Sequence, residues 1–594
     1  NIPTVILLVF VLVAPISCGN DDSNDTGQET DTTNTDDSNQ PTDTSSPQDI
    51  ANEEELPSQE DSDTFAPCPA GHVCGGDAPI ACEAPVEFAA NPTDKACTAV
   101  VYCPSNSVCG SGLAVACNSG VQFARTPTDD ACISMDFCPE KARCEIDGIT
   151  VCSADCTVQV FAITSDTAPT PQKPWVKEVD GNMIGLGLSD AKLIQDLLEY
   201  PNQIPVHPAH ISVPGPLPKS TSFVTHVTTI EASSNGRSNS YWYSSPGESI
   251  WRSTGVFAAP GRIFTVELPA NVVTGKELGL ELQVGSQTDR ANVWDFPYGQ
   301  PIRRFPDIVH RRELTKRITA MTSPFGGLIY IRVEKGTALG PVEIKITNVA
   351  RAPFYVHGVT THEEWINTIS KYPAPWAELM TDKLIITVPT SSLAGIDPVP
   401  LMDFWSKAMD AVWYLSGFDD PKERAERIVA DPAIEGIAHS GYPIAYAEKW
   451  AYALVDISDQ KGNQWWTSFH ELGHNFQLSE WTFVGLQEAT CNLWALHALE
   501  TVGNVPRKHT HPDEEMSNEK RTARIQAYID NGRDFENDWQ AGFNAYQGFI
   551  PLEVFMQLQE GFGWELLHKL NKEYKSLQNG EKPVSSDEKI QQWV

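Results

Sequence analysis

The chain has 594 residues and carries 42 Lys and Arg against 78 Asp and Glu, a formal net charge of -36. A chain this acidic repels nucleic-acid phosphates, which excludes DNA and RNA as partners. Its 14 cysteines are grouped, not scattered, and the grouping divides the chain.

Ile2 to Pro15 is an apolar run too short to span a bilayer comfortably, and it ends at Ile16-Ser17-Cys18-Gly19. Residues 1–17 read as an export signal, with Cys18 as the acylated residue. The protein is then expected outside the cytoplasm, on the bacterial outer membrane or cell surface and held there by its lipid anchor only, or secreted. Gly19 to Asp63 is almost wholly Asp, Glu, Ser, Thr, Asn, Gln and Pro, without Lys or Arg. Such a stretch cannot bury enough apolar surface to offset its chain entropy, so residues 18–65 read as a disordered acidic tether.

Residues 66–157 hold a repeat of period 35. Cys68, Cys74, Cys82 and Cys97 recur at Cys103, Cys109, Cys117 and Cys132, and a shortened copy gives Cys138, Cys144, Cys152 and Cys156. Val86 to Ala89 and Pro92 to Asp94 recur at Val121 to Ala124 and Pro127 to Asp129. In an exported chain an even cysteine set at fixed spacing reads as disulfides, with zinc knuckles as the alternative. Cys491 is left over, expected as a buried inert thiol.

Residues 158–235 read as a connecting region, with a Pro/Thr linker at Ala168 to Pro174 and a helix around Ser189 to Glu199. From 236 to 350 short alternating runs such as Leu278 to Val284, broken by Gly and Pro, predict an antiparallel β-sandwich. Residues 351–594 read as the catalytic part, with a strand at Lys383 to Pro389 and helices dominating from Pro400 onward.

That part contains His470-Glu471-Leu472-Gly473-His474. On a helix, imidazoles four residues apart leave one face together and can grip one metal ion, while Glu471 is placed to act as general base toward the attacking water. Trp465, Trp466, Phe469, Leu472 and Phe476 flank the motif, so its polar groups are expected in or beside a core. Catalytic zinc needs a third protein ligand. Gln477 and Glu480 stand where one extended zinc-protease pattern requires Gly and His, which disfavours that pattern. Glu488, opening a helical stretch, is the expected third ligand, and Glu480 is the rival. Asn492 lies one turn from Glu488 on the same face and is a candidate to orient the ligand from outside.

His470 to Asn475 followed by Glu488-Ala489-Thr490-Cys491-Asn492-Leu493-Trp494 resembles the enhancin-like, mucin-directed zinc metallopeptidase family. Ser253 to Gly261, Ser323 to Ile331, Ala374 to Leu379 and Ser440 to Ile444 resemble it too, so the likeness runs from about Ser240 to beyond Phe562. Cys491 departs from the Asn expected there. With Asn492 retained, only a packing change is expected. The resemblance implies an H-E-x-x-H core with a downstream Glu ligand, one zinc ion, and an O-glycosylated, mucin-type protein substrate. Exposed aromatic faces also stack on sugar rings, and Tyr442, in one of the resembling loops, is the first choice for that contact.

The expected fold is α+β: a zincin-like metallopeptidase domain preceded by a β-sandwich, with amino-terminal disulfide-rich repeats on a disordered tether. The expected activity is that of a zinc-dependent endopeptidase of the gluzincin type. Tyr546 or His439 is expected to donate to the oxyanion. The competing class is a non-catalytic glycan-binding adhesin with a vestigial metal site, against which the intact Glu471 argues.

Overall fold

The structure is a computed structural model. It describes residues 161–593 apart from 177–180, 199–200, 202–203, 236–248, 273–274, 276–277, 290–300, 419–423, 435, 458–464, 484, 534–547 and 578–580. Before residue 161 it describes three antiparallel hairpins: His72–Gly75 with Ala78–Ala81, Ser107–Val108 with Val115–Ala116, and Arg143–Ile146 with Ile149–Cys152. Each lies around the second and third cysteines of its copy. The signal segment, Cys18, the acidic tether, Tyr546 and the pairing of the twelve repeat cysteines lie outside the described residues.

The described residues of 161–233 are packed into the rest of the protein. Phe161, Ile163, Trp175, Ile184, Ile194 and Val213 are buried in the main core. The helix Gly181–Leu197 begins eight residues earlier than expected. Asp190, at its centre, accepts hydrogen bonds from the amides of Ala162 (2.8 Å) and Ile163 (3.0 Å) and from His207 Nε2 (3.2 Å). The His207 ring is surrounded by Phe161, Phe305 and Phe325, and burial lowers its pKa, with Asp190 opposing. Short polar stretches read as linker because this partner is remote in sequence.

The sandwich comprises β1 (Val224–Ser233), β2 (Ile250–Ala258), β3 (Phe264–Glu267), β4 (Leu280–Val284), β5 (His310–Glu313), β6 (Ile318–Met321), β7 (Gly327–Val333) and β8 (Ala338–Arg351). All pairings are antiparallel, in the order β5-β4-β7-β2-β8-β3-β6, with β1 also on β8. The 14-residue β8 pairs β1 from Ala338 to Val349, β3 at Lys345 to Thr347 and β2 only at Ala350 and Arg351, so the sheet turns over along it. The alternate residues Leu280, Leu282 and Val284 then share a core with Val342, Ile344 and Ile346.

The second sheet is mixed: β9 (Phe354–Val356), β10 (Trp376–Met380), β11 (Leu384–Pro389), β12 (Glu426–Asp431), β13 (Ala438–His439) and β14 (Ile444–Ala447), in the order β9-β10-β11-β12-β14-β13. The short antiparallel β13 forms its edge. Against this sheet lie α1 (Pro398–Leu415) and α2 (Trp465–Phe476); α3 (Gln487–Thr490), α4 (Asn492–Thr501), α6 (Phe549–Phe562) and α7 (Trp564–Ser576) pack on these helices and on one another, and α5 (Asn518–Asp530), which buries no residue, rests on α6. Asp397 caps α1 by accepting from the Val399 amide, and Pro398 fills its first turn, where no donor is needed. No helix among the described residues is long and apolar enough to cross a membrane.

Buried ion pairs join sandwich to sheet. Arg427 on β12 pairs with Glu378 on β10 and donates to Trp251 O (3.3 Å) and Ser253 Oγ (3.0 Å) on β2. Tyr330 on β7 and Thr387 on β11 both donate to Glu378 at 3.0 Å. Removing one partner of such a pair strands the other charge. Arg427→Ala is therefore expected to lower stability by about 3–5 kcal/mol, read as a lower midpoint in chemical denaturation of the whole chain. A loss below about 1 kcal/mol would show that Glu378 finds solvent once its partner is gone.

Candidate metal centre

α2 is buried on nearly all sides, and the fourth residue of its motif explains how. A Cβ on Gly473 would lie 2.1 Å from the Cys491 carbonyl oxygen, so α2 meets the α3–α4 junction at a distance only glycine permits. That approach brings Glu488, on α3, to the histidines. His470 Nε2 and His474 Nε2 are 3.1 Å apart, and Glu488 Oε2 lies 3.2 Å and 3.3 Å from them. Donors each about 2.0–2.1 Å from one tetrahedral ion stand roughly 3.3 Å apart, so the triangle fits a zinc-sized ion.

The outer bonds set the tautomers. His470 Nδ1 donates to Asn492 Oδ1 at 2.7 Å, which leaves Nε2 with its lone pair toward the ion. Asn492 Nδ2 donates to the Glu488 carbonyl at 2.6 Å, so one amide orients a histidine and braces the backbone of the third ligand. The His474 Nδ1 partner is the Gln477 amide at 2.9 Å, and Thr490 Oγ1 lies 2.8 Å from its other end. With the amide oxygen toward Nδ1–H, Gln477 donates to Thr490 Oγ1 and Thr490 to Leu486 O (3.2 Å), so every group is satisfied.

Charge points the same way. Burial alone would lower both histidines, but Cys491 and Glu488 beside them outweigh it: His474 is raised to about 9, and His470 is held well above its ordinary range. Burial would raise Glu488, yet the two imidazoles pull it far below the usual carboxylate range. Without an ion the histidines hold protons that a metal must displace, so metal is held less tightly as pH falls.

Glu480 is not the third ligand. It is buried, paired with Lys582 Nζ at 2.8 Å, and accepts from Ser479 Oγ. Cys491 does stand among the metal-binding groups, which sequence reasoning missed. Its Sγ lies 3.4 Å from His470 Nδ1 and 3.8 Å from Nε2. A donor sharing an ion with Nε2 would be farther from Nδ1 than from Nε2. The thiol therefore packs beside the ring, which leaves His470, His474 and Glu488 as the candidate ligands.

Glu471, 7% exposed, lies close enough to His470, to His439 on β13 and to Tyr446 on β14 for its charge to raise the pKa of all three. His439 is where a cleft residue should be, but its bonds differ from the expectation. Nδ1 donates to Ser440 O (2.9 Å) and Nε2 to Asp289 Oδ2 (2.7 Å), so both N–H groups are engaged and neither is left for an oxyanion. Burial would lower its pKa, but Asp289 reverses that and raises it to about 9. The sugar-stacking role expected of Tyr442 also fails. Tyr442 is 9% exposed, its OH accepts from the Trp251 amide (3.3 Å), and the Arg424 guanidinium covers its ring at 3.8 Å.

Residues 348–594 match the family described as peptidase M60, enhancin and enhancin-like, and residues 237–347 match the N-terminal domain of M60-like peptidases. The chain belongs to the M60 peptidase family. A TRPM8 channel-associated factor homolog of Xenopus laevis is 37% identical over 337 residues, 56% of this M60 chain and 35% of the relative. The chain thus spans about a third of the length of that curated relative. Among solved structures, IMPa from Pseudomonas aeruginosa in complex with an O-glycopeptide has a TM-score of 0.40 at 17% identity, covering 62% of this chain and 45% of that one. The M60 catalytic domain of Clostridium perfringens ZmpC, in complex with the sialyl T antigen, has a TM-score of 0.41 at 13% identity, covering 62% and 73%.

Two outcomes follow for the M60 site. Glu488→Ala should lose most bound metal by elemental analysis, whereas Glu480→Ala should keep it; the reverse would overturn the ligand set. The cobalt-substituted protein should show no thiolate-to-metal charge-transfer band in the near ultraviolet, and its spectrum should be unchanged in Cys491→Ser. A band that disappears with the thiol would make Cys491 a fourth ligand.

Proposed function

We propose that this chain is a zinc-dependent endopeptidase acting on O-glycosylated proteins. The observation that carries the reading is the convergence of His470, His474 and Glu488 on one point, with Glu471 beside it and near the edge strand β13. A bound zinc ion supplies Lewis acidity there, activating water and polarising the scissile carbonyl. Glu471 takes the proton of the attacking water and hands it to the leaving amine. Its place on α2, next to His470, keeps this carboxylate close to where the charge develops. Among the described residues β13 has a strand neighbour on one side only, so an extended peptide can add along its open side.

The glycosylated substrate is inferred from the family resemblance of the motifs. With Tyr442 buried, Trp450 (37% exposed) and Tyr452 (44% exposed), on the 3-10 turn that leads from β14 toward α2, offer the aromatic faces for sugar instead. Export and lipid attachment at Cys18 are further proposals, read from residues 1–63 alone.

Glu471→Gln keeps the side-chain shape and removes the base. Zinc content should survive while turnover falls by roughly two to four decades. The assay is incubation with a mucin-type glycoprotein, with and without chelator, and fragments read by mass spectrometry. Chelator-sensitive cuts beside glycosylated Ser or Thr support the reading. Intact substrate that binds equally well to wild type and to Glu471→Gln would favour the adhesin instead.

A further inference from the structure

The residue after the second histidine is the unexplained one. Asn475 is fully buried on α2, and its amide makes three hydrogen bonds outside its own helix. Its Oδ1 accepts from the Gly441 amide at 2.9 Å, and its Nδ2 donates to the Gly441 carbonyl at 2.8 Å and to Glu426 Oε2 at 2.8 Å. Gly441 thus spends both backbone groups on one side chain, the pairing a neighbouring strand would otherwise give it. Its φ of +135° is a conformation glycine adopts freely. Glu426, also fully buried, opens β12.

Gly441 follows β13 by two residues, and Asn475 follows His474 by one. The clamp therefore joins the helix that carries the metal ligands to the segment that continues the edge strand. The same segment is held from the sandwich side by Asp289 on His439 and by the Trp251 amide on the Tyr442 hydroxyl. Arg304 secures that side. It pairs with Asp431 through two 2.7 Å bonds and donates to the Asp289 carbonyl at 2.5 Å. With the sandwich side fixed in this way, Asn475 is the side chain that ties Gly441 to α2.

We propose that Asn475 is a positioning residue that sets the distance between the metal-binding helix and the edge strand, and with it the width of the substrate cleft. The proposal rests on the peptidase reading. A misplacement of about 1 Å between a bound peptide and the groups that act on it costs roughly a hundredfold in rate. The metal triangle itself is held by other residues, Asn492 and Gln477, so it should survive loss of the clamp.

The test compares two metal-directed probes on the zinc-loaded full chain and on Asn475→Ala. Acetohydroxamic acid needs only the ion, whereas an extended peptide hydroxamate must also lie along the edge. Asn475→Ala should keep its zinc and its affinity for acetohydroxamic acid, lose the extra affinity for the peptide hydroxamate by tenfold or more, and show a kcat lowered about a hundredfold. If Asn475→Ala does not fold, Glu426→Gln, which weakens one leg of the clamp, should move the same ratio in the same direction by less. An unchanged ratio of the two affinities, or a parallel loss of both with the zinc, overturns the proposal. A wild type that holds zinc and cleaves nothing overturns the peptidase reading alone, and the ratio of affinities still decides the role of Asn475.

Discussion

One absent side chain governs the centre of this molecule. Two histidines on a helix make half a metal site, and the other half has to come from a distant part of the chain. Here the meeting depends on Gly473, whose missing Cβ leaves room for the Cys491 carbonyl. Glu488 lies three residues before that carbonyl and Asn492 one after it. A single close approach therefore delivers a carboxylate to the Nε2 side of His470 and an amide to its Nδ1 side. Glycine inside a helix costs about 1 kcal/mol relative to alanine, and the packing of α2 against α4 offsets it.

Around this contact the protein is tied together by buried charges. The Arg304–Asp431 pair crosses between sandwich and sheet with the other Arg304 donors on backbone oxygens, and Arg427, paired within the sheet to Glu378, reaches across to Trp251 O and Ser253 Oγ. Such pairs contribute modestly to net stability but reject misaligned packing, because any shift leaves a charge unpaired. The sandwich is thereby a wall of the half that carries α2 and not an appendage to it. The segment before it, fastened through Asp190 and His207, extends that wall beyond the two matched domains.

What could be read from the sequence was what lies close along it. The five-residue motif, the helix carrying Glu488 and the place of Asn492 depend on helical spacing, and the structure brings them together as that spacing implies. The alternating runs of the sandwich were legible for the same reason. Missed were contacts between residues far apart in the chain: Asn475 with Gly441, Asp289 with His439, Asp190 with the amides of 162 and 163. Tyr442 misled because an aromatic residue in a glycine- and proline-containing loop looks exposed, and only the fold reveals Arg424 and Trp251 against it. Cys491 was rightly read as buried, but burial does not disclose which ring a thiol touches.

The edge strand has a cost as well as a use. An open strand edge that can receive a peptide can equally receive the same edge of another copy of the chain, and unguarded edges are where β proteins stick to one another. β13 is only two residues long, it ends at a charged histidine, and Asn475 takes up the backbone groups of Gly441 just beyond it. The far side of the sheet is limited to the three residues of β9. The shortness that would limit grip on any one bound peptide thus also leaves little edge for another copy of the chain to pair with.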